Sequence, residues 1–404
     1  MILSLALIIL CFGRVYAFNT LFSTPNCQLN ADLRGLNAQK LDPPIILKTV
    51  AQPGSCSSSE QIRYEKPEDS IKLAYVTPWN GRGYDLAKWF ASKFTHISPV
   101  WYQLVLEDNM KPELRGGHDV DQVWLQELKS AYRPPKVIPR VQLQLSQKAA
   151  ETILYYPQGQ TEHLADILVA EVEKYGYDGV TLELPAPHVF TALIRRIGDA
   201  LHDIEKELVL VIPPQHTREQ YGMVFNANHI DEVVDEVDYF SVMTYDHAGA
   251  VGREGPNSPL PWMEEVVGGL VLDTKDDFEY VGDDLDEEVD REDREKVRAR
   301  KILMGLPFYG YRFSRARAPE AYTASNYLDL LKKESRSSIS WDELSKEHRL
   351  VGSGGSLWYP SMLSLLYRLQ LAEEKGVVWE LLFGSWDRGW TNSLMSFNMR
   401  QSVS

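Results

Sequence analysis

Eight short runs rich in β-branched and aromatic residues recur from Ile71 onward, and stretches of helical spacing separate them. The runs are 71–78 (IKLAYVTP), 94–103 (FTHISPVWYQ), 136–143 (KVIPRVQL), 177–185 (YDGVTLELP), 207–213 (ELVLVIP), 237–246 (VDYFSVMTYD), 301–309 (KILMGLPFY) and 376–382 (GVVWELL). Their length and composition predict buried strands. Between them, Val120, Val123, Trp124 and Leu128 share one face of a predicted helix over 120–129. Leu164, Ile167, Leu168 and Val172 do the same over 161–175, and 189–206 and 361–375 repeat the spacing.

Strand–helix alternation repeated eight times predicts an α/β fold with an all-parallel sheet, closed into a (β/α)8 TIM barrel. An open doubly wound sheet is the alternative. It favours a glycine-rich phosphate loop after its first strand, and Thr77-Pro78-Trp79-Asn80 is not one. Insertions are expected at an acidic run over 273–295 and at 312–357, both around the seventh unit. Residues 18–70 carry Pro, Ser, Asn and Gln with little periodicity and read as an irregular N-terminal extension. The start, MILSLALIILCFGRVYA, holds a short apolar run ending in Val15-Tyr16-Ala17. It fits a secretory signal peptide over 1–17, too short to span a bilayer, and no later stretch approaches transmembrane length. The expected division is therefore signal 1–17, extension 18–70 and barrel 71–404, in a secreted or lysosomal protein.

With 44% hydrophobic and 25% charged residues, the composition is that of an ordinary globular chain. The net charge of −15 argues against nucleic acid and membrane surfaces as partners. Most of it is local, since 273–295 holds thirteen Asp or Glu against three Lys or Arg. That run is expected to be a solvated, largely disordered loop. A calcium-loop reading fails because spaced ligands, central Gly and terminal Glu do not fall into register. Loss of the signal removes Cys11 and leaves Cys27 and Cys56, both in the extension. An oxidising compartment permits a bond between them, and unpaired cysteines are equally open. Without Cys-x-x-Cys or His-x-His pairs, no structural zinc or other cofactor is expected. The chain has no Asn-x-Ser/Thr acceptor, so no N-linked glycan is expected.

Barrel function sits at the C-terminal strand ends. Here those ends are aromatic: Trp79, Trp101 with Tyr102, Tyr245, Phe308 with Tyr309, and Trp379. Flat indole and phenol rings suit the C–H faces of sugars and leave a polar edge for hydroxyls. One such ring is ordinary packing, but a set at one end of successive strands predicts a saccharide groove. In the fourth run, alternation turns Thr181, Glu183 and Pro185 inward. A carboxylate on that row is costly unless it is paired or used.

Tyr177 to Pro185 resembles, in outline, the signature strand of glycoside hydrolase family 18, Asp-Gly-x-Asp-x-Asp-x-Glu. Asp178 and Gly179 match the first two positions, Thr181 and Glu183 stand at the second and third Asp, and Pro185 stands at the acid Glu. Met243-Thr244-Tyr245-Asp246 resembles the family's Met-x-Tyr-Asp motif. Gly255-Pro256-Asn257 with Pro259-Leu260 resembles the loop that follows, and Trp379 falls where a final-strand Trp floors the sugar pocket. The resemblance covers roughly 71–385. It implies retaining hydrolysis in which the substrate's acetamido oxygen is the nucleophile and a Glu protonates the leaving oxygen. Proline has no titratable group, so the resemblance implies a protein that binds oligosaccharides without cleaving them.

The expected ligands are N-acetylglucosamine oligomers, with bacterial cell-envelope glycans by resemblance only. The expected ligand-binding residues are Trp79, Trp101, Glu183, Tyr245, Asp246 and Trp379, and no catalytic residue is expected. Glu183 could instead pair with Arg140 as a structural ion pair. Asp178 is expected to support the strand turn, His247 to sit at the rim, and Glu380 to point away from Trp379. A weak glycosidase using Glu183 is one alternative. The other is a receptor-binding scaffold with a vestigial groove. A sorting receptor is implied by resemblance alone, and no sequence element encodes one.

Overall fold

In the computed structural model the described residues are 71–79, 81–214, 225–273, 285–314, 317–333 and 338–383. The expected signal, extension, Cys27 and Cys56 lie outside them. The order is β1 (Leu73–Val76), α1 (Gly81–Trp89), β2 (His96–Leu106), β3 (Pro112–Arg115), α2 (Gln122–Lys129), β4 (Lys136–Val137) and β5 (Arg140–Leu145). Then come α3 (Gln147–Tyr155), α4 (Gln160–Tyr175), β6 (Gly179–Glu183), α5 (Thr191–His202), β7 (Glu207–Ile212), α6 (Ala227–Asp231) and β8 (Tyr239–Val242). The chain continues through α7 (His247–Val251), α8 (Leu260–Val271), α9 (Leu285–Lys301) and β9 (Ile302–Pro307). After β9 lie β10 (Gly310–Phe313), β11 (Glu320–Tyr322), α10 (Ala324–Lys333), β12 (Ser338–Asp342), β13 (Glu347–Gly352) and β14 (Gly355–Tyr359). The chain then returns through α11 (Met362–Lys375) and β15 (Val378–Phe383).

Parallel pairing runs β1–β2–β5–β6–β7–β8–β9–β15 and closes from β15 back to β1. All eight predicted strands are its staves. The third is split: β4 and β5 flank Ile138-Pro139, where proline offers no N–H to the ladder. The second is longer than expected, because β2 runs on to Leu106 and turns back as the antiparallel β3. The sixth is shorter. It ends at Val242, so Thr244, Tyr245 and Asp246 stand on the turn beyond it.

Strand alternation sorts the staves into two layers. Leu73, Tyr75, Val100, Ile138, Val209, Leu303 and Val378 fill the lumen. Ala74, Leu104, Val141, Leu182, Leu210 and Met304 face outward into the larger core beneath the helices. Burial on both faces explains why these strands read as apolar runs. Several polar lumen groups are paired: Ser98 Oγ donates to Thr181 Oγ1 at 3.1 Å, and Thr181 donates to the Ile138 carbonyl. Tyr75 and Ser241 meet across the barrel at 2.6 Å. At the N-terminal end, Glu207 binds His96 Nε2 at 2.8 Å and also Lys136.

Between β9 and α11 the chain builds a second, antiparallel sheet in the order β11–β10–β14–β13–β12. Its own core holds Leu331, Leu350 and Leu357, with Tyr327 stacked on Tyr359 at 4.4 Å between ring centroids. The acidic run departs from expectation over 285–295, which belongs to α9 and not to a disordered loop. Mixed charge accounts for this. Glu292 pairs with Lys296 at (i, i+4), and fully buried Arg298 binds Asp231 and Asp273, holding α9 against α6 and α8. Residues 274–284 lie outside the described set. Among the described residues no helix is long and apolar enough to cross a membrane.

Candidate functional site

The C-terminal ends of the staves carry two polar groupings. On β5 and β6, register sets Gln142 beside Glu183, and Gln103 of β2 beside Gln142. Thr181, two residues before Glu183, bonds within the lumen, so Glu183 and its neighbours share the inward row. Arg140 reaches Glu183 Oε2 through Nε and Nη2, both at 2.5 Å. Gln142 Nε2 donates to Glu183 Oε1 at 2.9 Å, and Gln144 Nε2 donates to Gln142 Oε1 at 3.0 Å. Both oxygens of Glu183 thus face donors that cannot accept.

The second grouping is built on the turn after β8. Asp246 has φ 65°, a left-handed conformation that aspartate tolerates better than most residues. Fully buried Asn257 holds it there. The Asn257 side chain accepts the Asp246 N–H at 2.8 Å and donates to the Tyr309 carbonyl at 2.8 Å. The Asn257 and Ser258 N–H groups in turn donate to Glu347 at 3.0 and 2.7 Å. Asp246 Oδ1 accepts the hydroxyls of Tyr309 and Tyr311, whereas Oδ2 has no bond to any described residue. Burial raises the Asp246 pKa, and the two phenol donors oppose that rise. Burial also pushes the hydroxyls of Tyr309 and Tyr311 up, so both remain donors at neutral pH. Tyr245 is buried beside Asp246, its ring against Gly305 of β9 and edge-on to Tyr309.

The expected aromatic ring is only partly assembled. Trp79 stands just beyond β1 with 77% of its surface exposed, free to stack. Trp101 does not reach the groove. An irregularity between Val100 and Tyr102 turns both Trp101 and Tyr102 into the outer core. There the Trp101 indole is fully buried, donates to Tyr84 Oη at 2.6 Å and meets Trp124 edge-on. Simple alternation could not foresee that break. Trp379 and Glu380 lie on β15 in register with Met304 and Gly305, and their side chains are outside the described set. Phe308 and Tyr309 are buried, and His247 packs on Trp262 at 5.0 Å. Asp178 accepts the Val137 N–H at 2.8 Å and ties β4 to the start of β6.

Pro185 lies past the last residue of β6, exposed to solvent. Sequence reasoning overlooked Gln103, Gln142, Gln144 and Tyr311. A signal for the glutamines was present: Arg-Val-Gln-Leu-Gln-Leu alternates strictly, unlike the near-continuous apolar run of a strand buried on both faces. Tyr311 gave no such signal, since its contact depends on how the second sheet docks. Among the described residues no three His, Cys, Asp or Glu side chains converge as metal ligands would.

The architecture recurs in solved structures. A chitinase from Chromobacterium violaceum is 19% identical, covering 82% of this chain and 100% of its own, with a TM-score of 0.61. A class V chitinase from Pseudomonas fluorescens is 20% identical, covering 81% and 98%, at 0.62. The spore cortex-lytic enzyme SleL of Bacillus megaterium is 14% identical, covering 83% and 76%, at 0.60. At such identities the likeness establishes the fold alone. The model of glycosyl hydrolases family 18 matches residues 151–379, more than half of the chain, and it is to this family that the chain belongs.

Proposed function

We propose that this protein binds N-acetylglucosamine oligomers or related glycans at the C-terminal rim of its barrel and does not cleave them. The observation that carries this reading is the state of the inward row on β6. The only carboxylate on it, Glu183, accepts from Arg140 and Gln142, and the residue two positions on is Pro185. General acid catalysis contributes about 10²–10⁴-fold, and glycoside hydrolysis is very slow without it. Trp79 would stack on a sugar face, while Tyr245 and Asp246 Oδ2 would meet its polar groups. Trp379 stands in register with the outward-facing Met304, and the reading does not rest on it. Beyond the family, the motifs Tyr75-Val76-Thr77-Pro78-Trp79-Asn80, Phe94 to Trp101 and Gly117 to Gln122 resemble chitinase domain-containing protein 1, an animal chitinase-like lectin. Secretion, with or without delivery to lysosomes, is proposed on the apolar leader.

Chitohexaose should quench tryptophan fluorescence saturably, and Trp79→Ala should remove most of that response. A chromogenic chitobioside should be hydrolysed no faster than in buffer. Hydrolysis well above buffer that is lost in Glu183→Gln would overturn the proposal in favour of a glycosidase with a relocated acid. Absence of quenching at millimolar ligand would remove the saccharide reading altogether.

A further inference from the structure

The inward row of β5 is a graded line of polar side chains. Arg140 and Gln142 are half-buried, and Gln144 is exposed. Their hydrogen bonds run one way, from Gln144 to Gln142 to Glu183. Because a carboxylate facing Arg140 accepts and does not donate, the Gln142 amide has one allowed orientation, NH2 toward Glu183 and C=O toward Gln144. That fixes what is left over. Gln142 keeps one N–H and one carbonyl lone pair, and neither bonds to another described residue. Gln144 keeps one N–H and its whole carbonyl. One strand away in register, Gln103 adds a third amide, bonded among the described residues only to the Trp101 carbonyl at 3.4 Å. Neighbouring strands lie ~4.8 Å apart, so the rung Gln103–Gln142–Glu183 spans about 10 Å. This row is charge-neutral, since the only anion on it is matched by Arg140.

We propose that Gln142, flanked by Gln103 and Gln144, is a specificity-determining ligand contact: a preorganised amide that offers a donor and an acceptor side by side to an uncharged pyranose. The complementary group is either an acetamido substituent, with its own N–H and C=O, or a pair of neighbouring hydroxyls. Glu183 acts here as a positioning residue that sets the Gln142 amide and leaves the sugar to it. Preorganisation matters because an amide already held in place loses little rotamer freedom on binding. The inference rests on the saccharide reading above, and deepens it.

The test is titration of the full chain with chitohexaose and with cellohexaose, which lacks acetamido groups, followed by tryptophan fluorescence. Wild type, Gln142→Leu and the solvent-exposed Gln144→Leu are compared, with thermal melts recorded for each. Losing one or two hydrogen bonds to ligand predicts about a tenfold weaker Kd for Gln142→Leu and about threefold for Gln144→Leu. A loss confined to chitohexaose assigns the acetamido group, and an equal loss with both sugars assigns hydroxyls. Either supports the proposal. If wild type binds and folded Gln142→Leu binds within twofold of it, the subsite is overturned while the saccharide reading stands. If Gln142→Leu fails to fold, Gln144→Leu decides, and unchanged binding there overturns the subsite. If wild type binds neither sugar, both fall together.

Discussion

Glu347 and Arg368 meet at 2.8 Å with neither side chain reaching solvent, one on the second sheet and the other on the helix that leads back to the barrel. The pair is not isolated. Glu347 also accepts from Asn257 N, Ser258 N and Ser258 Oγ, and Arg368 donates to the Ser258, Lys346 and Ser364 carbonyls. Through Asn257 the network sets the turn on which Asp246 stands. Breaking a buried pair strands one charge, so Arg368→Met should cost about 3–5 kcal/mol in urea unfolding. Replacing both partners, Glu347→Gln with Arg368→Met, should cost less than the sum of the single changes. Additive losses would show that the two residues act independently.

Asp246 predicts a pH dependence of definite sign. Burial raises its native pKa above the ordinary value of 3.8 despite the Tyr309 and Tyr311 donors. The folded protein therefore holds this proton more tightly than the unfolded chain does. The stability linked to it is fully present below the ordinary aspartate value and is lost as pH rises through the raised native one. Asparagine tolerates the left-handed backbone and can accept both phenols. Asp246→Asn should therefore be more stable than wild type at pH 7, and the gap should narrow as pH falls toward 4. Urea midpoints at the two pH values measure this, and a gap that widens on acidification contradicts it.

How far the sequence discloses this molecule depends on the range of each interaction. Barrel strands are set by runs of a few residues, and all eight were legible, because most staves are buried on both faces and apolar throughout, while β5 still alternates at a strand's period. The break after Val100 was not legible. It arises from how β2 pairs with β5, and it sends Trp101 behind the sheet to Tyr84 and Trp124. Helix α9 was hidden for a related reason: the composition of 273–295 is acidic, yet the anchor that orders its C-terminal part is Arg298, beyond the run. Glu183 was visible as an oddity on an inward row. Its amide neighbours became meaningful only once register set Gln142 and Gln103 beside it.

Gly305 offers a direct test of how Tyr245 is placed. A Cβ built there would lie 2.5 Å from the Val242 carbonyl and 2.7 Å from Tyr245 Cε1. Room for the Tyr245 ring thus depends on the missing side chain. Gly305→Ala should cost about 1–3 kcal/mol through overpacking, and should weaken chitohexaose binding by displacing Tyr245. A variant with unchanged melting temperature and unchanged binding would mean that the ring can shift without consequence.

Arg140 and Glu183 can be separated by mutation in a way that links stability to chemistry. Arg140→Leu leaves a Glu183 carboxylate that is only 15% exposed with Gln142 as its sole remaining donor among the described residues. Losing a charge-assisted bond at a largely buried site should cost about 1.5–3 kcal/mol. The double change Arg140→Leu with Glu183→Leu should recover part of that cost, because no charge is then stranded. Neither variant should acquire hydrolysis. Glu183 stands two strand residues, roughly 6–7 Å, below the position of Pro185, and releasing it from Arg140 does not move its backbone. Chitobioside cleavage appearing in Arg140→Leu would mean instead that the guanidinium is what restrains a competent acid.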